Sequence, residues 1–352
     1  MTLRIAYLPG DGVGPEVADA ARRALETAAR IVGVGTSFDE RRFGGAAIDG
    51  DGAPFPDETR RACLEADAVL LGAVGGPTWD DAPVRPEAGL LDLRKTLGVF
   101  ANLRPVVCAA GLEDLSPLKN DRARGVDLLI VRELTGGLYF GAREEGAARA
   151  RDVCDYAVNE LDRVARVAFD AARRRRGRVV SADKANVLAT SRLWRRAVSA
   201  VHAADYEDVE LSHELVDAMA MKLVVQPARY DVILTENLFG DILSDEAAAI
   251  AGSIGLAPSA SLGPDRRGVY EPIHGSAPDI AGEDLANPIG AILSGAMLLR
   301  HSAGAPAAAE IVERAAALVL ADGVRPRDMG GEAKCGDVAD AVVAAIEAEA
   351  RS

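Results

Sequence analysis

Short apolar runs alternate along the chain with longer segments whose apolar residues recur every three or four positions. The short runs predict buried strands at residues 3–8, 68–74, 126–132 and 179–181. The longer segments predict helices at residues 16–32, 158–176, 291–301 and 307–320. Because strands that alternate with helices are typical of α/β proteins, the pattern predicts an α/β fold.

Some segments interrupt this alternation. Residues 77–85 are rich in proline and aspartate and predict a functional loop, whereas residues 142–151 predict a hairpin or an arm. The glycines of residues 10–14 follow the pattern G-x-G-x-G, with Pro15 directly behind them. A dinucleotide-binding fingerprint would be G-x-G-x-x-G. We therefore interpret this segment as a tight strand-to-helix turn near a ligand.

Length and charge limit the classes of protein that fit. The chain has 352 residues, which is enough for about two domains. Its net charge of −14 argues against nucleic acid or an anionic membrane as a partner. Four consecutive arginines, residues 173–176, could suggest nucleic acid. We favour the alternative that they stabilise the C-terminus of a helix capped by Gly177.

The cysteines and the first residues of the sequence indicate the cellular compartment in which we expect the protein. The four cysteines are far apart and show neither zinc-ligand spacing nor a disulfide framework. The chain starts directly in a strand-like run, and no apolar run reaches 18 residues. We expect a cytoplasmic protein without a signal peptide or a membrane span.

Two aspartates are the first candidates for chemistry. Asp241 and Asp245 follow a strand-like run at residues 230–235 and a predicted hinge at Gly240. On a helix this spacing places both carboxylates on one face, where they repel each other by a few tenths of a kcal/mol. We expect the positive end of the helix, in its first turn, to tolerate the two carboxylates. Oxygen ligands suit Mg²⁺ or Mn²⁺. The alternative is a solvated acidic helix start.

Three arginines are candidates for binding an anionic substrate. Arg94 lies in a predicted helix, Arg104 lies in an extended segment before a proline, and Arg132 ends a predicted strand. A guanidinium group binds a carboxylate through two parallel hydrogen bonds, so three converging arginines would hold a dicarboxylate. Each arginine taken alone would be a surface residue.

A series of ordered motifs extends from residue 3 to about residue 346. They are GDGVGPE at 10–16, LGAVGGP at 71–77, GLLDLRK at 89–95, FANLRP at 100–105, VRELTGGLYFG at 131–141, DKAN at 183–186, VDAM at 216–219, NLFGDILSD at 237–245, EPIHGSAPDIAG at 271–282 and Asn287. On these motifs the chain resembles the family of metal-dependent decarboxylating dehydrogenases that act on isopropylmalate or isocitrate. The departures are the acidic Glu283 and Asp284 and the cysteine at 335, where a small hydroxyl residue is expected.

The resemblance implies a two-domain α/β fold with a mixed, mostly parallel sheet, which is not a Rossmann fold. Residues 1–101 and 252–352 are expected to form the cofactor-binding domain. Residues 102–251 are expected to form a second domain that carries the interface of a homodimer. The active sites of this homodimer are expected to be shared between its subunits.

The resemblance also implies a role for each matched residue. The arginine clamp would be Arg94, Arg104 and Arg132. One Mg²⁺ or Mn²⁺ per subunit would be held by Asp241, Asp245 and Asp217, and Asp217, supplied by the second subunit, would also contact the substrate. Tyr139 and Lys184 would be the acid–base pair, Lys184 again from the second subunit, with Asn186 facing the cofactor or the substrate. The residues expected at the cofactor are Gly76, Glu87, His274, Gly275, Ser276, Ala277, Pro278, Asp279 and Asn287. Asp279 would accept hydrogen bonds from the adenosine ribose and favour NAD over NADP.

Leu90 and Leu91, helped by Val187, are expected to form an apolar pocket for a branched alkyl group. Burying an isopropyl group is worth roughly 2 kcal/mol, whereas a carboxylate there would be buried without a partner. This pocket favours isopropylmalate, a substrate of leucine biosynthesis, over isocitrate. The alternatives are a related enzyme acting on tartrate, malate or homoisocitrate, a catalytically silent subunit, and a structural metal-binding protein. A silent subunit would be expected to lose a metal-binding aspartate, Tyr139 or Lys184, all of which this chain keeps. A structural metal-binding protein would not need Asp279, Asn287 or the three arginines.

Overall fold

The structure is a computed structural model that describes residues 2–108 and 111–349. The chain divides into two compact units. The discontinuous unit comprises Met1–Val99 and Ser253–Ser352, and the inserted unit comprises Phe100–Gly252. Their predicted roles in cofactor binding and in dimer formation stay predictions.

The first segment of the discontinuous unit contains the predicted alternation of strands and helices. Every residue of its strand at 68–73 is buried, as expected of a central strand without a solvent face. The elements in chain order are β1 (Thr2–Gly10), α1 (Gly14–Ile31), β2 (Gly35–Glu40), α2 (Gly45–Asp51), α3 (Asp57–Glu65), β3 (Ala68–Ala73) and α4 (Pro86–Leu97).

The inserted unit continues this pattern and adds a small two-stranded hairpin at residues 143–152. Its elements are β4 (Ala101–Val107), α5 (Asn120–Ala123), β5 (Asp127–Glu133), β6 (Arg143–Glu145), β7 (Ala150–Asp152), α6 (Val158–Arg173), β8 (Arg178–Asp183), α7 (Ala189–Asp205), β9 (Glu210–Leu215), α8 (Val216–Val225), β10 (Val232–Thr235) and α9 (Asn237–Ile250).

The last segment returns to the discontinuous unit. It begins with a strand pair and ends in the alanine-rich helices that the sequence predicts. Its elements are β11 (Pro258–Leu262), β12 (Gly268–Pro272), α10 (Ile289–His301), α11 (Pro306–Ala321) and α12 (Cys335–Glu349).

The sheet of the discontinuous unit has the strand order β2-β1-β3-β12-β11. The first four strands pair in parallel, and β11 runs antiparallel to β12. Helices α1, α10, α11 and α12 pack together, and α1 and α10 also contact the strands. This order differs from the 3-2-1-4-5-6 order of a Rossmann sheet.

The sheet of the inserted unit has the strand order β4-β5-β10-β8-β9. Only the β4–β5 pair is antiparallel among these pairings. Leu243, Ala247 and Ile250 anchor one face of α9 in the apolar core beside β5. Because these buried positions recur every three or four residues, Asp241 and Asp245 are left on a less buried part of the helix.

Two local predictions were wrong in detail. Gly240 is not a hinge, because α9 already begins at Asn237 and Gly240 lies inside it. Asp241 therefore lies beyond the first turn, where the end charge of the helix contributes little. The helix predicted to reach residue 176 ends at Arg173, with Arg174 as its cap. Gly177 takes the left-handed conformation three residues later, and its amide donates to the carbonyl of Ala172.

The side chains of Arg173, Arg175 and Arg176 contact groups of their own unit. Arg173 binds the carboxylate of Asp208 at 2.5 Å, and Arg175 binds Asp127 at 2.6 Å and Asp231 at 2.9 Å. These partners support the interpretation of the cluster as a structural feature rather than a nucleic-acid surface. Among the described residues, no helix combines the length and the apolarity that a membrane span requires.

Candidate active site

Asp241 is the centre of a hydrogen-bonded cluster in the inserted unit. Arg132 Nη1 donates to Asp241 Oδ1 at 2.5 Å, and the Tyr139 hydroxyl donates to Asp241 Oδ2 at 2.9 Å. Arg104 Nη1 lies 3.6 Å from Asp241 Oδ1 and 3.3 Å from Asp245 Oδ1. Two guanidinium groups therefore offset the repulsion between the aspartates. Burial raises the pKa of Asp245, and the charge of Arg104 opposes that effect.

Arg132 is almost fully buried, with 2% of its surface exposed. It leaves the end of β5, and both Nε and Nη2 donate to Asn237 Oδ1, at 3.1 and 2.8 Å. A Cβ atom on Gly240 would lie 2.6 Å from Arg132 Cγ. Glycine is therefore required at position 240 for the close approach of α9 to this arginine.

Arg104 is fixed by two neutral side chains. It lies on β4, where Asn102 two residues earlier points to the same face. Arg104 Nε donates to Asn102 Oδ1 at 2.7 Å, and Nη1 donates to Ser244 Oγ at 2.6 Å. The sequence analysis did not single out Asn102, Ser244 or Asn237. The alternation of Asn102 with Arg104 along the strand is the one signal that could have identified the first of them.

Tyr139 lies in a short turn of 3-10 helix, Gly137–Tyr139, that follows β5. Burial raises the pKa of its hydroxyl, and the nearby carboxylate of Asp241 raises it further. The hydroxyl consequently keeps its proton and remains a hydrogen-bond donor at neutral pH. A phenol in this state can serve as a general acid.

Lys184 and Asp217 form a separate pair in the same unit. Lys184 Nζ donates to Asp217 Oδ1 at 2.6 Å, and this bond lowers the pKa of Asp217. Lys184 follows β8, and Asp217 lies in the first turn of α8. Within residues 2–108 and 111–349 of one chain, Asp217 does not join Asp241 and Asp245 in a group whose ligand atoms lie within 4.8 Å of one another. Val187, predicted to line the substrate pocket, is 61% exposed.

In the discontinuous unit, Arg94 is buried on α4 and its Nη2 donates to Glu271 Oε1 at 2.9 Å. Its buried Nε has no hydrogen-bond partner among the described residues. Leu90 and Leu91 lie on the same helix and are only half-buried, so part of each side chain is not packed in the core. The structure thus leaves both leucines partly accessible, as a substrate pocket would require.

The discontinuous unit also brings together the glycine turn at residues 10–14, Gly76 and the segment beginning at His274. Val13 donates its amide to the carbonyl of Ser276 at 2.8 Å. A Cβ atom on Gly12 would lie 2.0 Å from the same carbonyl oxygen. A Cβ on Gly76 would have Ser276 Oγ at 3.8 Å. The contact with the Ser276 carbonyl explains why glycine is needed at position 12, where the glycine turn meets the segment that begins at His274.

Asp11 organises the loops around this turn, a role that the sequence analysis did not recognise. Its carboxylate accepts the amides of Gly45, Ala46 and Gly75 at 2.8, 2.8 and 2.9 Å. Burial raises its pKa, and the three amides oppose the shift. Glu87 lies close by, since its Oε1 would be 2.4 Å from a Cβ atom on Gly75.

The remaining residues predicted at the cofactor have different surroundings. His274 Nε2 is buried without a hydrogen-bond partner in the described structure, and burial lowers the pKa of the ring. The side chain of Asn287 is already occupied, because it donates to Asp328 at 3.0 Å and accepts from Ile289 at 3.0 Å. Pro278, Asp279 and Gly275 are exposed, and Ala277 is half-buried. Contact of all these residues with a cofactor stays a prediction.

Comparison with known proteins supplies the family. The isocitrate/isopropylmalate dehydrogenase family matches residues 4–342. The chain belongs to this family. It is 53% identical over 350 residues to the 3-isopropylmalate dehydrogenase of Anaeromyxobacter dehalogenans, covering 97% of this chain and 99% of the relative. It is 56% identical over 337 residues to that of Oleidesulfovibrio alaskensis, covering 94% of each.

Solved structures agree with this assignment. The crystal structure of isocitrate dehydrogenase from Methylococcus capsulatus matches with a TM-score of 0.88 and 35% identity, covering 98% of this chain and 99% of the other. The family resemblance and the fold class predicted from the sequence are both confirmed.

The residues present fit the groups that the family implies. Its members are metal-dependent dehydrogenases. Asp241 and Asp245 offer carboxylate oxygens on side chains that remain 34% and 53% exposed, a donor set suited to a hard divalent cation. The unpartnered His274 Nε2 fits a polar ligand in the discontinuous unit. The identity of the metal and of the nucleotide stays a prediction.

Proposed function

We propose that this chain catalyses the oxidative decarboxylation of 3-isopropylmalate to 2-oxo-4-methylpentanoate and CO₂, with reduction of NAD, in leucine biosynthesis. The observation that carries the proposal is the cluster in which Arg132, Arg104 and Tyr139 surround Asp241. Relatives that match nearly the whole chain bear the name of this dehydrogenase. Isocitrate, homoisocitrate, malate and tartrate are not favoured as substrates.

Binding of the dicarboxylate is assigned to the arginines. Arg104 and Arg132 are buried, and each is held by a neutral asparagine, so their guanidinium groups stay oriented without a bound substrate. Preorganised charges bind an anion without first losing side-chain entropy. Arg94 is assigned the same function, and Leu90 and Leu91 are assigned the isopropyl group.

Asp241, Asp245 and Asp217 of the second subunit are the residues that would hold Mg²⁺ or Mn²⁺. When bound, the metal supplies charge stabilisation for the substrate's oxygens, and NAD accepts the hydride. Asp241 also accepts the Tyr139 hydroxyl, so one carboxylate links the metal ligands to the general acid. This hydrogen bond supports the assignment of Tyr139 as a proton donor close to the metal-bound substrate.

Proton transfers are assigned to Lys184 and Tyr139. Lys184 Nζ, once neutral, takes the proton of the substrate's hydroxyl as the hydride leaves the same carbon, which gives a ketone. The bond to the β-carboxylate then breaks, CO₂ leaves, and the electron pair remains on the product as an enolate. Tyr139 donates its proton to the enolate carbon, consistent with a hydroxyl that burial keeps protonated. A 2-oxo acid and one CO₂ result.

A homodimer is supported by an exposed apolar face of the inserted unit. Met221, Val224 and Val225 lie on one side of α8 and are 62%, 45% and 45% exposed. Ile242 on α9, which packs against α8, is 58% exposed. Large apolar side chains clustered in this way mark protein–protein contact sites. A second copy of the chain covering this face would bring Lys184 and Asp217 to the neighbouring site.

The proposal is tested by following NADH formation with isopropylmalate, isocitrate, malate and tartrate. Each reaction is run with Mn²⁺ and again with a chelator. We expect rapid NADH formation with isopropylmalate and only weak formation with malate, and we expect the chelator to abolish both. Faster turnover of isocitrate than of isopropylmalate would contradict the assigned substrate, and full activity in the chelator would contradict the metal.

A further inference from the structure

The loop from Ser276 to Asp284 carries the exposed Asp279, and its backbone needs outside support. Among the described residues, the non-glycine positions with positive φ are Ala277, at 37°, and Asp284, at 61°. They lie near the two ends of this loop. A side chain strains the backbone in this region, so such conformations persist only where the surroundings impose them.

Glu16 supplies one support. It lies in the first turn of α1, where the positive end of the helix favours a carboxylate. Its Oε1 accepts the amide of Gly282 at 2.5 Å. This charge-assisted hydrogen bond ties the loop to the helix that follows the glycine turn.

Asp284 supplies a second support. Its Oδ1 accepts the amide of Gly336 at 2.9 Å, and its carbonyl oxygen accepts the amide of Cys335 at 2.9 Å. Both donors belong to the first turn of α12, which has no helical acceptors for them. The end of the loop therefore serves as the external cap of this helix, and the helix in turn holds the loop.

Glu16, Asp284 and Cys335 are close enough to suggest a metal site, since one ligand atom from each lies within 4.8 Å of the others. The contacts favour a different function. Each carboxylate already accepts an amide of the loop or of α12. The Cys335 thiol is 2% exposed, and burial, helped by both carboxylates, raises its pKa to about 12, so it stays protonated. We interpret the group as an anchor for the loop.

We propose that Glu16 and Asp284 are positioning residues for the nucleotide, which hold the 276–284 loop in the shape that presents Asp279 to the adenosine ribose. The inference rests on the proposed NAD-dependent activity and adds to it two residues outside the predicted cofactor set. Removing an anchor allows the loop to adopt other shapes. The apparent affinity for NAD then falls in proportion to the fraction of molecules that keep the competent shape.

The test compares variants that remove an anchor with variants that keep an acceptor oxygen. Glu16→Ala and Asp284→Ala remove the acceptor. Glu16→Gln and Asp284→Asn retain a side-chain oxygen, and asparagine tolerates positive φ. In Asp284→Gly the glycine adopts the positive φ without strain but lacks the side-chain acceptor for the Gly336 amide. This variant therefore measures the effect of losing the hydrogen bond alone. Glu26→Ala, a glutamate of the same helix that pairs with Arg22, is the matched control.

Dissociation constants of NAD and of ADP-ribose are measured by titration calorimetry, together with kcat and KM. We expect Glu16→Ala, Asp284→Ala and Asp284→Gly to weaken both ligands about tenfold, the effect of losing one charge-assisted hydrogen bond. The kcat at saturating NAD should remain near the wild-type value, because the reacting groups are unchanged. Glu16→Gln, Asp284→Asn and Glu26→Ala should stay close to the wild type. Hydrogen exchange of residues 276–284 without ligand should accelerate only in the anchor-removing variants.

The outcomes distinguish a failure of the cofactor assignment from a failure of the anchoring function of Glu16 and Asp284. If the wild type binds neither NAD nor ADP-ribose, the cofactor assignment fails and this inference fails with it. If the wild type binds both and Glu16→Ala, folded by thermal melting, binds them equally well, the cofactor assignment stands and the anchoring function is wrong. A fall in kcat as large as the fall in NAD affinity would also overturn the anchoring function, because it would indicate that the substitution disturbs the whole active site and not only the loop. Wild-type binding by Asp284→Gly would overturn the part assigned to the Asp284 carboxylate.

Discussion

At the residue scale, Asp279 is proposed to select the cofactor through a single exposed charge. It lies on a loop surface rather than in a packed core, so its carboxylate is available to a ligand. Ribose hydroxyls can donate hydrogen bonds to a carboxylate, whereas a 2′-phosphate brings a like charge to the same place. At 4 Å two like charges repel by about 1 kcal/mol in water and about 4 kcal/mol near a protein surface. NAD should therefore be preferred over NADP.

We expect Asp279→Lys to narrow this preference by at least about tenfold, since reversing the charge exchanges repulsion for attraction. The measurement is the ratio of kcat/KM for NAD to that for NADP. Glu283→Lys makes the same charge change at another exposed position of the loop and should leave the ratio nearly unaltered. Equal use of NAD and NADP by the wild type would show that Asp279 does not select the cofactor.

The sequence was informative about some residues of the cluster and silent about others. Helical spacing predicted that Asp241 and Asp245 share a face, and the structure places both beside Arg104. Asn237, which orients Arg132, was not predictable, because its function depends on the distance between separate elements. It meets Arg132 across 105 positions of the chain. The catalytic roles of the predicted residues stay predictions.

At the scale of elements, local periodicity identifies helices and strong strands but not weak strands or the order of a sheet. The runs at residues 3–8 and 68–74 correspond to β1 and β3. The strands β11 and β12 were not predicted, because proline, serine and glycine dilute their apolar pattern. Their antiparallel pairing joins residues that are close in sequence, but the parallel neighbour of β12 is β3, far away in the chain.

Substituting Gly240 tests how closely α9 must pack against Arg132. In most helix interiors, replacing glycine with alanine stabilises by about 0.5–1 kcal/mol. In α9 the new Cβ would lie 2.6 Å from Arg132 Cγ, and overpacking of this kind costs about 1–3 kcal/mol. We expect Gly240→Ala to lower the melting temperature and to reduce kcat/KM by displacing Arg132.

The control for this prediction is another glycine inside a helix. A Cβ atom on Gly295 of α10 would meet its nearest neighbour at 3.5 Å, an ordinary contact. Gly295→Ala should therefore leave kcat/KM unchanged and keep or raise the melting temperature. Wild-type activity in Gly240→Ala would mean that Arg132 can shift without a loss of activity. The close contact between Gly240 and Arg132 would then not be needed for catalysis.

At the scale of the whole molecule, a buried acid makes stability depend on pH. Glu236 is 6% exposed at the start of α9, and burial, followed by the charges of Glu133 and Asp183, raises its pKa from 4.5 to about 7. Between these values the folded protein retains a proton that the unfolded chain releases. The free energy of unfolding therefore falls as pH rises through this window. The size of this contribution is at most roughly 3 kcal/mol.

We expect Glu236→Gln to reduce the loss of stability between pH 4.5 and pH 7, because the side chain can no longer release a proton. Urea unfolding at several pH values and one protein concentration measures the effect. Glu207→Gln, at an exposed position of the same unit, should follow the wild-type curve. An unchanged pH dependence in Glu236→Gln would show that this carboxyl does not retain its proton in the folded state.

The assembly of two chains gives the last prediction. Lys184→Ala removes a base that is proposed to act in the neighbouring subunit's site, and Asp245→Ala removes a metal ligand retained in its own site. Each variant alone should be inactive. In a mixed dimer, one site combines the intact Asp245 of one subunit with the intact Lys184 of the other, while the second site lacks both. Activity should therefore return, up to half that of a wild-type dimer for each mixed dimer formed.

The control for recovery is a mixture of Lys184→Ala with Asp217→Ala. Both residues belong to the pair that bonds at 2.6 Å within one chain, and both are proposed to enter the partner's site together. In their mixed dimer, each site therefore receives one defective residue, and activity should not return. Recovery in the first mixture but not in the second would support sharing of the sites. If neither mixture recovers, although mass spectrometry confirms exchange of folded subunits, Lys184 and Asp245 serve the same chain and the shared site is wrong.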